Sequence, residues 1–395
     1  MRKLLCILSA LLLLLSSCAA PAASDSEFDN ALYMASNLNR NVAAAEDGFF
    51  FTQDRYVYYV PYDTMEPRAL CAKPNCLHDA ETDEQRKALC NARLDSVQTA
   101  EYLFYDGGAL YTLTAETDGG QITRVLTRIS ADGAERKTVY RFDRQPQQEE
   151  FGGGTYMALH RGYCYWSGTQ LDADQQAESG LWRVALDGKR QAEYLGEPVW
   201  DGCTLTPLHL RVVGERLFFL SPLASTGEPM VPFSFDPAAR STARLFDTGR
   251  PVSAGSCIPW NGGLFCAMIP LDERDPENPL SFAAHGYTAS ADGGNVQELP
   301  GSFNGDYIAD DRYLYVLLPA ALAAMQPDAS PLRILDAGGE RLRCDLAAEV
   351  PGYRSLCVLR DAVLILYEDA GGPGICWFAK SDIETGSLRI LPLTR

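Results

Sequence analysis

A chain of 395 residues with 46% hydrophobic and 10% aromatic side chains can bury a sizeable core, which excludes a disordered or low-complexity protein. Its formal charge of −18 makes a surface that repels nucleic acid and anionic headgroups, so no nucleic-acid partner is expected. Beyond the first eighteen residues no apolar run is long enough for a membrane-spanning helix.

The chain opens on Arg2 and Lys3, a short basic segment, followed by the apolar run Leu4 to Leu15. That run has signal-peptide length and is too short to span a bilayer comfortably. The tetrapeptide Leu15-Ser16-Ser17-Cys18 closes it and resembles the lipobox of bacterial lipoproteins. The resemblance implies that residues 1–17 are a removed signal peptide and that Cys18 becomes an acylated N-terminus. It also places the remainder outside the cytoplasm, held to the cell membrane by lipid. A cleaved, unlipidated signal and an uncleaved anchor are the other readings. Loss of Arg2 and Lys3 makes the mature chain still more acidic, so lipid rather than surface charge would supply the attachment. Residues 18–40 read as the lipidated terminus and a tether, with Pro21 to Asn30 mostly small and polar.

Twelve cysteines are present. With Cys6 in the signal and Cys18 as the lipid site, an even number remains, which permits disulfides in an exported chain. Reduced thiols acting as small buried apolar residues are equally compatible with the spacing.

From residue 41 to 395 one pattern recurs: an apolar strand, a Gly, Asp or Asn turn, an aromatic-rich strand, a variable loop, a third strand, a tight turn and a fourth strand. The first copy is compressed, from Val42 to Cys71. The second is the clearest, with Glu101 to Tyr105, the turn Asp106-Gly107-Gly108, Ala109 to Leu113, Ile122 to Ser130, Asp132-Gly133 and Lys137 to Phe142. Further copies begin near Tyr156, Leu208, Cys257, Tyr307 and Leu356. Four-stranded units at a spacing of roughly fifty residues predict an all-β fold, a β-propeller of antiparallel blades. Seven blades are expected, or six or eight if one copy is wrongly split or merged. A pair of antiparallel sandwiches is the competing fold. The longest loops, Gln170 to Gly180, Leu271 to Ala284 and Pro319 to Pro331, each join a second to a third strand. They therefore share one face, the expected partner surface, and Ala320 to Met325 reads as a helical turn.

One segment, residues 71–95, departs from the repeat. It contains Cys71, Cys76, His78 and Cys90, with Pro74-Asn75 turning the chain between the first two cysteines. Three thiolates and an imidazole suit a closed tetrahedral zinc site, which would staple the excursion and activate no water. A disulfide between two of the cysteines, with His78 a surface residue, fits the same residues. Glu81 to Lys87 is expected to be an exposed, helical connector.

The stretch Asn37-Leu38-Asn39-Arg40-Asn41, followed by Leu70-Cys71-x2-Pro74-x-Cys76-x-His78-Asp79, resembles a group of uncharacterised bacterial lipoproteins with TolB-like or low-density-lipoprotein-receptor-like propellers. The resemblance implies a cell-surface propeller without an agreed activity. The repeats lack the Tyr-Trp-Thr-Asp tetrad of the receptor propellers, so no ligand site carries over.

No G-x-S-x-G, H-E-x-x-H, P-loop or G-x-G-x-x-G occurs. Asp172-x-Asp174 starts like a calcium loop but lacks the later Gly and Glu. His160 and His209 fall on expected innermost strands, where a channel-facing or a satisfied core position is open to each. Asp310-Asp311 sits at a hairpin turn, where Asp is favoured for backbone reasons. The expected function is a lipid-anchored binding or scaffold module for an envelope protein or a glycan. The alternative is a polysaccharide-active lyase or hydrolase.

Overall fold

Strands that are apolar on both faces dominate the molecule. In the computed structural model Phe49, Phe50 and Phe51 are all buried, as are Phe218, Phe219 and Leu220, Phe265 to Met268, and Leu314 to Leu317. A half-buried sheet alternates apolar and polar residues, whereas these need a neighbour on each side. The described residues are 41–94, 102–118, 121–142, 157–171, 177–273, 283–323 and 330–393. Cys18 and residues 19–40, expected to be a tether, lie outside them.

Four-stranded antiparallel meanders supply those neighbours. The first is β1 (Val42–Ala44), β2 (Gly48–Gln53), β3 (Tyr56–Pro61) and β4 (Arg68–Ala69). Next come β5 (Tyr102–Asp106), β6 (Ala109–Asp118), β7 (Gln121–Ile129) and β8 (Arg136–Arg141). They are followed by β9 (Met157–His160), β10 (Tyr163–Leu171), β11 (Ala177–Ala185) and β12 (Glu193–Gly196). An additional hairpin, β13 (Val199–Trp200) and β14 (Cys203–Thr204), was not expected from the repeat. Two meanders then share one eight-stranded sheet. They are β15 (Leu208–Val213), β16 (Arg216–Leu223), β17 (Glu228–Asp236) and β18 (Ser241–Arg244), then β19 (Val252–Trp260), β20 (Gly263–Pro270), β21 (His285–Ala289) and β22 (Gln297–Ser302). The last two are β23 (Asp306–Ala309), β24 (Leu314–Leu317), β25 (Leu332–Asp336) and β26 (Gly339–Cys344), and β27 (Tyr353–Val358), β28 (Ala362–Asp369), β29 (Gly372–Ala379) and β30 (Leu391–Pro392).

Packing between successive meanders closes them into a β-propeller. Val139, Phe142, Leu159 and Trp166 fill one junction and Tyr165, Leu181, Leu210 and Phe219 the next. Equivalent clusters occupy the following junctions. In the cluster that closes the ring, Cys357, Leu359 and Leu364 of the last meander pack with Phe49, Phe51 and Val60 of the first. First strands approach first strands around the axis, β1 with β5, β5 with β9, β9 with β15, β19 with β23 and β23 with β27. Outer strands are wet: β18 and β22 have no buried residue. Among the described residues no sheet mixes distant parts of the chain, so packing rather than a shared sheet joins first to last.

Polar ties run between the turns that follow the first strands. Asp106 accepts from the Gly162 N–H at 2.8 Å, and His160 Nε2 lies 3.1 Å from the Gly214 carbonyl. Trp260 Nε1 donates to the Arg312 carbonyl at 3.3 Å, and Arg360 donates to the Glu46 carbonyl at 2.9 Å. His160 is therefore a buried core residue that joins two meanders. Asp310 does more than shape its turn. Besides accepting from the Arg312 N–H at 2.8 Å and the Tyr313 N–H at 2.6 Å, it accepts from the Tyr315 hydroxyl at 3.2 Å. It also pairs with Lys380 of the last meander and is 1% exposed. Glu228 plays the same part between β17 and β19, accepting from Arg244 at 2.8 Å and from the Val252 N–H at 3.1 Å.

Removing one partner of a buried ion pair strands the other charge. Asp310→Ala is expected to lower stability by about 3 kcal/mol in urea denaturation, and a loss under about 1 kcal/mol would contradict the assigned role.

Candidate metal centre and binding cleft

The Cys/His segment leaves and rejoins the outer edge of the first sheet. Leu70 donates to the Val57 carbonyl at 2.9 Å, after which the chain departs at Cys71. Asn75, at φ +61°, supplies the left-handed residue that turns Cys76 back toward Cys71. His78, at φ +52°, opens the short 3₁₀ turn His78–Ala80. Asp83 caps the helix Glu84–Ala88 by accepting from the N–H groups of Gln85 and Arg86 at 2.8 and 3.1 Å. This is the exposed connector expected from Glu81 to Lys87, and it delivers Cys90, whose N–H donates to the Lys87 carbonyl at 3.1 Å.

The four donor atoms of Cys71, Cys76, His78 and Cys90 lie within 4.8 Å of one another, with Cys90 Sγ 3.5 Å from His78 Nδ1. Among the described residues no other such cluster is found. All ten described cysteines are free thiols. Burial pushes the Cys71 thiol up. The Lys73 and Asn91 N–H groups and the Cys90 and Cys76 thiols donate to its sulfur and bring it below the ordinary thiol value. Burial pushes Cys90 up to about 12, against a hydrogen bond from the Ala92 N–H. The second meander braces the segment: Arg136 donates to the Asn91 carbonyl at 2.7 Å. At Gly133, φ +71°, a Cβ would stand 2.1 Å from the Leu70 carbonyl oxygen, so only glycine allows that approach.

Several remaining thiols are core residues. Cys257 and Cys266 face each other across β19 and β20, both buried, and burial pushes Cys257 up to about 12. Cys357 is raised to about 12 for the same reason.

Sequence reasoning overlooked Arg211. It lies on the first strand β15, is 6% exposed, and burial lowers it to about 10. His209 precedes it by two residues at φ +54°. The alternation Leu208-His209-Leu210-Arg211, polar residues among apolar ones on a core strand, was the available signal.

A cleft of about 810 Å³ opens between the first and last meanders. Its walls are the start of β1, the β2–β3 turn, the start of β27, the β28–β29 hairpin, and Pro319-Ala320. All belong to the end of the molecule that carries the second-to-third strand connections. Tyr353 donates to the Leu318 carbonyl at 2.8 Å, and Arg354 pairs with Glu368 at 2.7 Å. Of the three loops expected to share this face, Pro319 to Pro331 reaches the cleft and begins with the helical turn Ala320–Ala323. The stretch Gln170 to Gly180 is shorter as a loop than expected, because β10 and β11 pair out to Leu171 and Ala177. Leu271 to Ala284 starts with the 3₁₀ turn Leu271–Glu273. The loop centres, with Asp172 and Asp174, lie outside the described residues.

At this same end His285 sits between two carboxylates, Nδ1 2.6 Å from Glu298 and Nε2 3.0 Å from Glu273. Arg250 also holds Glu273, at 2.7 Å.

This geometry defines a β-propeller with a Cys/His excursion and a cleft at one end. No protein-family model matches the chain, and no curated protein matches it. Solved structures are similar in fold. A glycoside hydrolase family 74 enzyme from Niastella koreensis is 12% identical, covers 92% of this chain and 55% of its own, and has a TM-score of 0.52. The β-propeller domain of the trilobed protease from Pyrococcus furiosus is 11% identical, with coverage of 74% and 84% and a TM-score of 0.47. The tricorn protease is 10% identical, with a TM-score of 0.47, and this chain spans 36% of its length.

The Glu298 hydrogen bond, followed by that of Glu273, raises the His285 pKa against desolvation. A raised folded-state value means that the protonated ring stabilises the fold below the ordinary value of 6.5. That contribution is lost as pH rises through the folded-state value. Thermal melts should therefore fall more steeply above pH 6.5 for the native protein than for His285→Gln, and parallel profiles would refute the assignment.

Proposed function

We propose that this protein is an exported, lipid-anchored propeller of seven blades that binds a partner of the cell envelope, a protein segment or a glycan, in the cleft between its first and last meanders. The lipobox-like tetrapeptide ending in Cys18 supports the anchor, and the tether of residues 18–40 leads directly to Asn41 at the cleft wall. The resemblance to propeller lipoproteins agrees with that placement.

The cleft is the observation that carries the reading. Its volume of about 810 Å³ lies in the range of sites that take small or extended ligands. Its walls stand on strands of a rigid frame, which keeps the ordering cost of binding low. Tyr353 is buried with its hydroxyl bonded to the Leu318 carbonyl, which fixes that wall, and half-buried Tyr367 adds a second aromatic ring to the lining. Glu368 and Arg354 neutralise each other at 2.7 Å and offer a donor and an acceptor side by side. Such a lining favours recognition over proton transfer.

Capture from native envelopes with the acylated protein tests the reading. Arg354→Glu and Tyr367→Ala, with unchanged melting, should each weaken capture by about tenfold, about 1.4 kcal/mol, while Arg240→Ala on an exposed turn should not. Equal capture by all variants would sink the cleft assignment. Cys18→Ala should move the protein from the detergent to the aqueous phase on detergent partitioning.

A further inference from the structure

We infer that Cys71, Cys76, His78 and Cys90 hold one structural Zn²⁺ that clasps the two ends of an insertion in the fourth strand of the first sheet. This goes beyond the binding function and is independent of it.

The backbone shows that the fourth strand is split. Its first part, β4, pairs Arg68 with Tyr59 and Ala69 with Tyr58, and Leu70 bonds to Val57. The strand position is then resumed by residues 92–94. Arg93 pairs antiparallel with Tyr56, Val57 donates to the Ala92 carbonyl at 2.9 Å, and Leu94 donates to the Arg55 carbonyl at 2.8 Å. Residues 71–91 are thus an insertion in one outer strand. Cys71 stands at its exit and Cys90 at its return.

Apolar packing of that insertion on the first sheet is confined to Cys71, Cys76 and Cys90 themselves. Among residues 71–91 only Cys90 is buried, and Leu77 and Leu89 are 56% and 67% exposed. The helix Glu84–Ala88 and the 3₁₀ turn His78–Ala80 bury no residue. A helix of this length is not stable alone in water. Small segments without a core are commonly ordered by a metal.

The donor set selects the ion. Three thiolates and an imidazole are soft, four-coordinate ligands that suit Zn²⁺ and not Mg²⁺ or Ca²⁺. A tetrahedral site with Zn–S near 2.3 Å has sulfurs about 3.8 Å apart. The Cys90–His78 separation of 3.5 Å already fits an S–N edge, and the remaining edges, none above 4.8 Å, need only slight contraction. The hydrogen bonds to the Cys71 and Cys90 sulfurs come from the N–H two residues on, Lys73 and Ala92. Such bonds stabilise a metal-bound thiolate and orient it. Binding releases the thiol protons to solvent as the three Zn–S bonds and one Zn–N bond form. All four positions are protein ligands, so the site is structural.

The test uses the full chain purified under reducing conditions. Elemental analysis should find about one zinc per chain, and replacement by Co²⁺ should give thiolate-to-metal charge transfer with strong tetrahedral d–d bands. Stripping the metal should speed hydrogen exchange at the Val57 and Leu94 amides by at least about tenfold while leaving Leu364 and Phe378 of the last sheet unchanged. His78→Ala should weaken Co²⁺ binding and His78→Cys restore it, which serves if Cys90→Ser fails to fold. The inference is overturned by a metal-free protein that gives no Co²⁺ spectrum, by a disulfide among the three cysteines, or by unaltered exchange at Val57 and Leu94 after stripping.

Discussion

Burial of the second strand of each meander on both faces is the constraint on which the rest of the structure depends. Phe49, Phe50 and Phe51 lie on alternating sides of β2, and all three are buried. The same holds for Phe218, Phe219 and Leu220 on β16. Removing such side chains from water is worth about 1.5–3 kcal/mol each, and a single meander can collect that on neither face alone. Stacking meanders around an axis covers both faces of every one and leaves no uncovered end. The ring follows from that requirement. Its last joint is side-chain packing of Cys357, Leu359 and Leu364 against the first sheet, aligned by the Arg360 bond to the Glu46 carbonyl.

The two ends of the ring are used differently as a result. Turns after the first strands are occupied by bonds from one meander to the next, through Asp106, His160, Trp260, Asp310 and Arg360. These bonds fix the relative height of neighbouring sheets. Connections between second and third strands also take part in such a tie at Leu318, whose carbonyl accepts from Tyr353 of the next meander. They vary in length, and at this end the cleft opens and the charges of Arg250, Glu273, Glu298 and His285 gather. The outer edge has a third use. Outer strands contribute little core, so the fourth strand tolerates interruption after Leu70 and resumption at Ala92 without disturbing Phe51 or Val57 beneath it.

Most of the meander was legible because hairpin grammar is local. Asp106-Gly107-Gly108 and Asp132-Gly133 announce their turns by residue type, and the strands flanking them fall within a few residues of where they were expected. The loop between Gln170 and Gly180 was misjudged because polar residues continue a strand once the register Thr169 with Ser179 and Leu171 with Ala177 is set by its partner. The hairpin of Val199–Trp200 and Cys203–Thr204 was missed because two-residue strands leave no periodicity. Asp310 read as a turn residue since its backbone role is visible locally. Lys380, seventy positions away, is not.

The amino-acid sequence by itself determined the basic segment, apolar run and cysteine at the start, the acidic surface, the all-β repeat, and the four candidate ligands. Each of these is carried by residue type and short spacing, which local chemistry reads directly. Only the tertiary structure decided that Cys71, Cys76, His78 and Cys90 converge, that residues 71–91 interrupt a single strand, and that Arg354 and Tyr367 share a cleft with Asn41. The first two rest on the course of the excursion back to Tyr56 and Val57, and the third exists only once the apolar faces of the first and last meanders have been driven together, a meeting that no local pattern encodes.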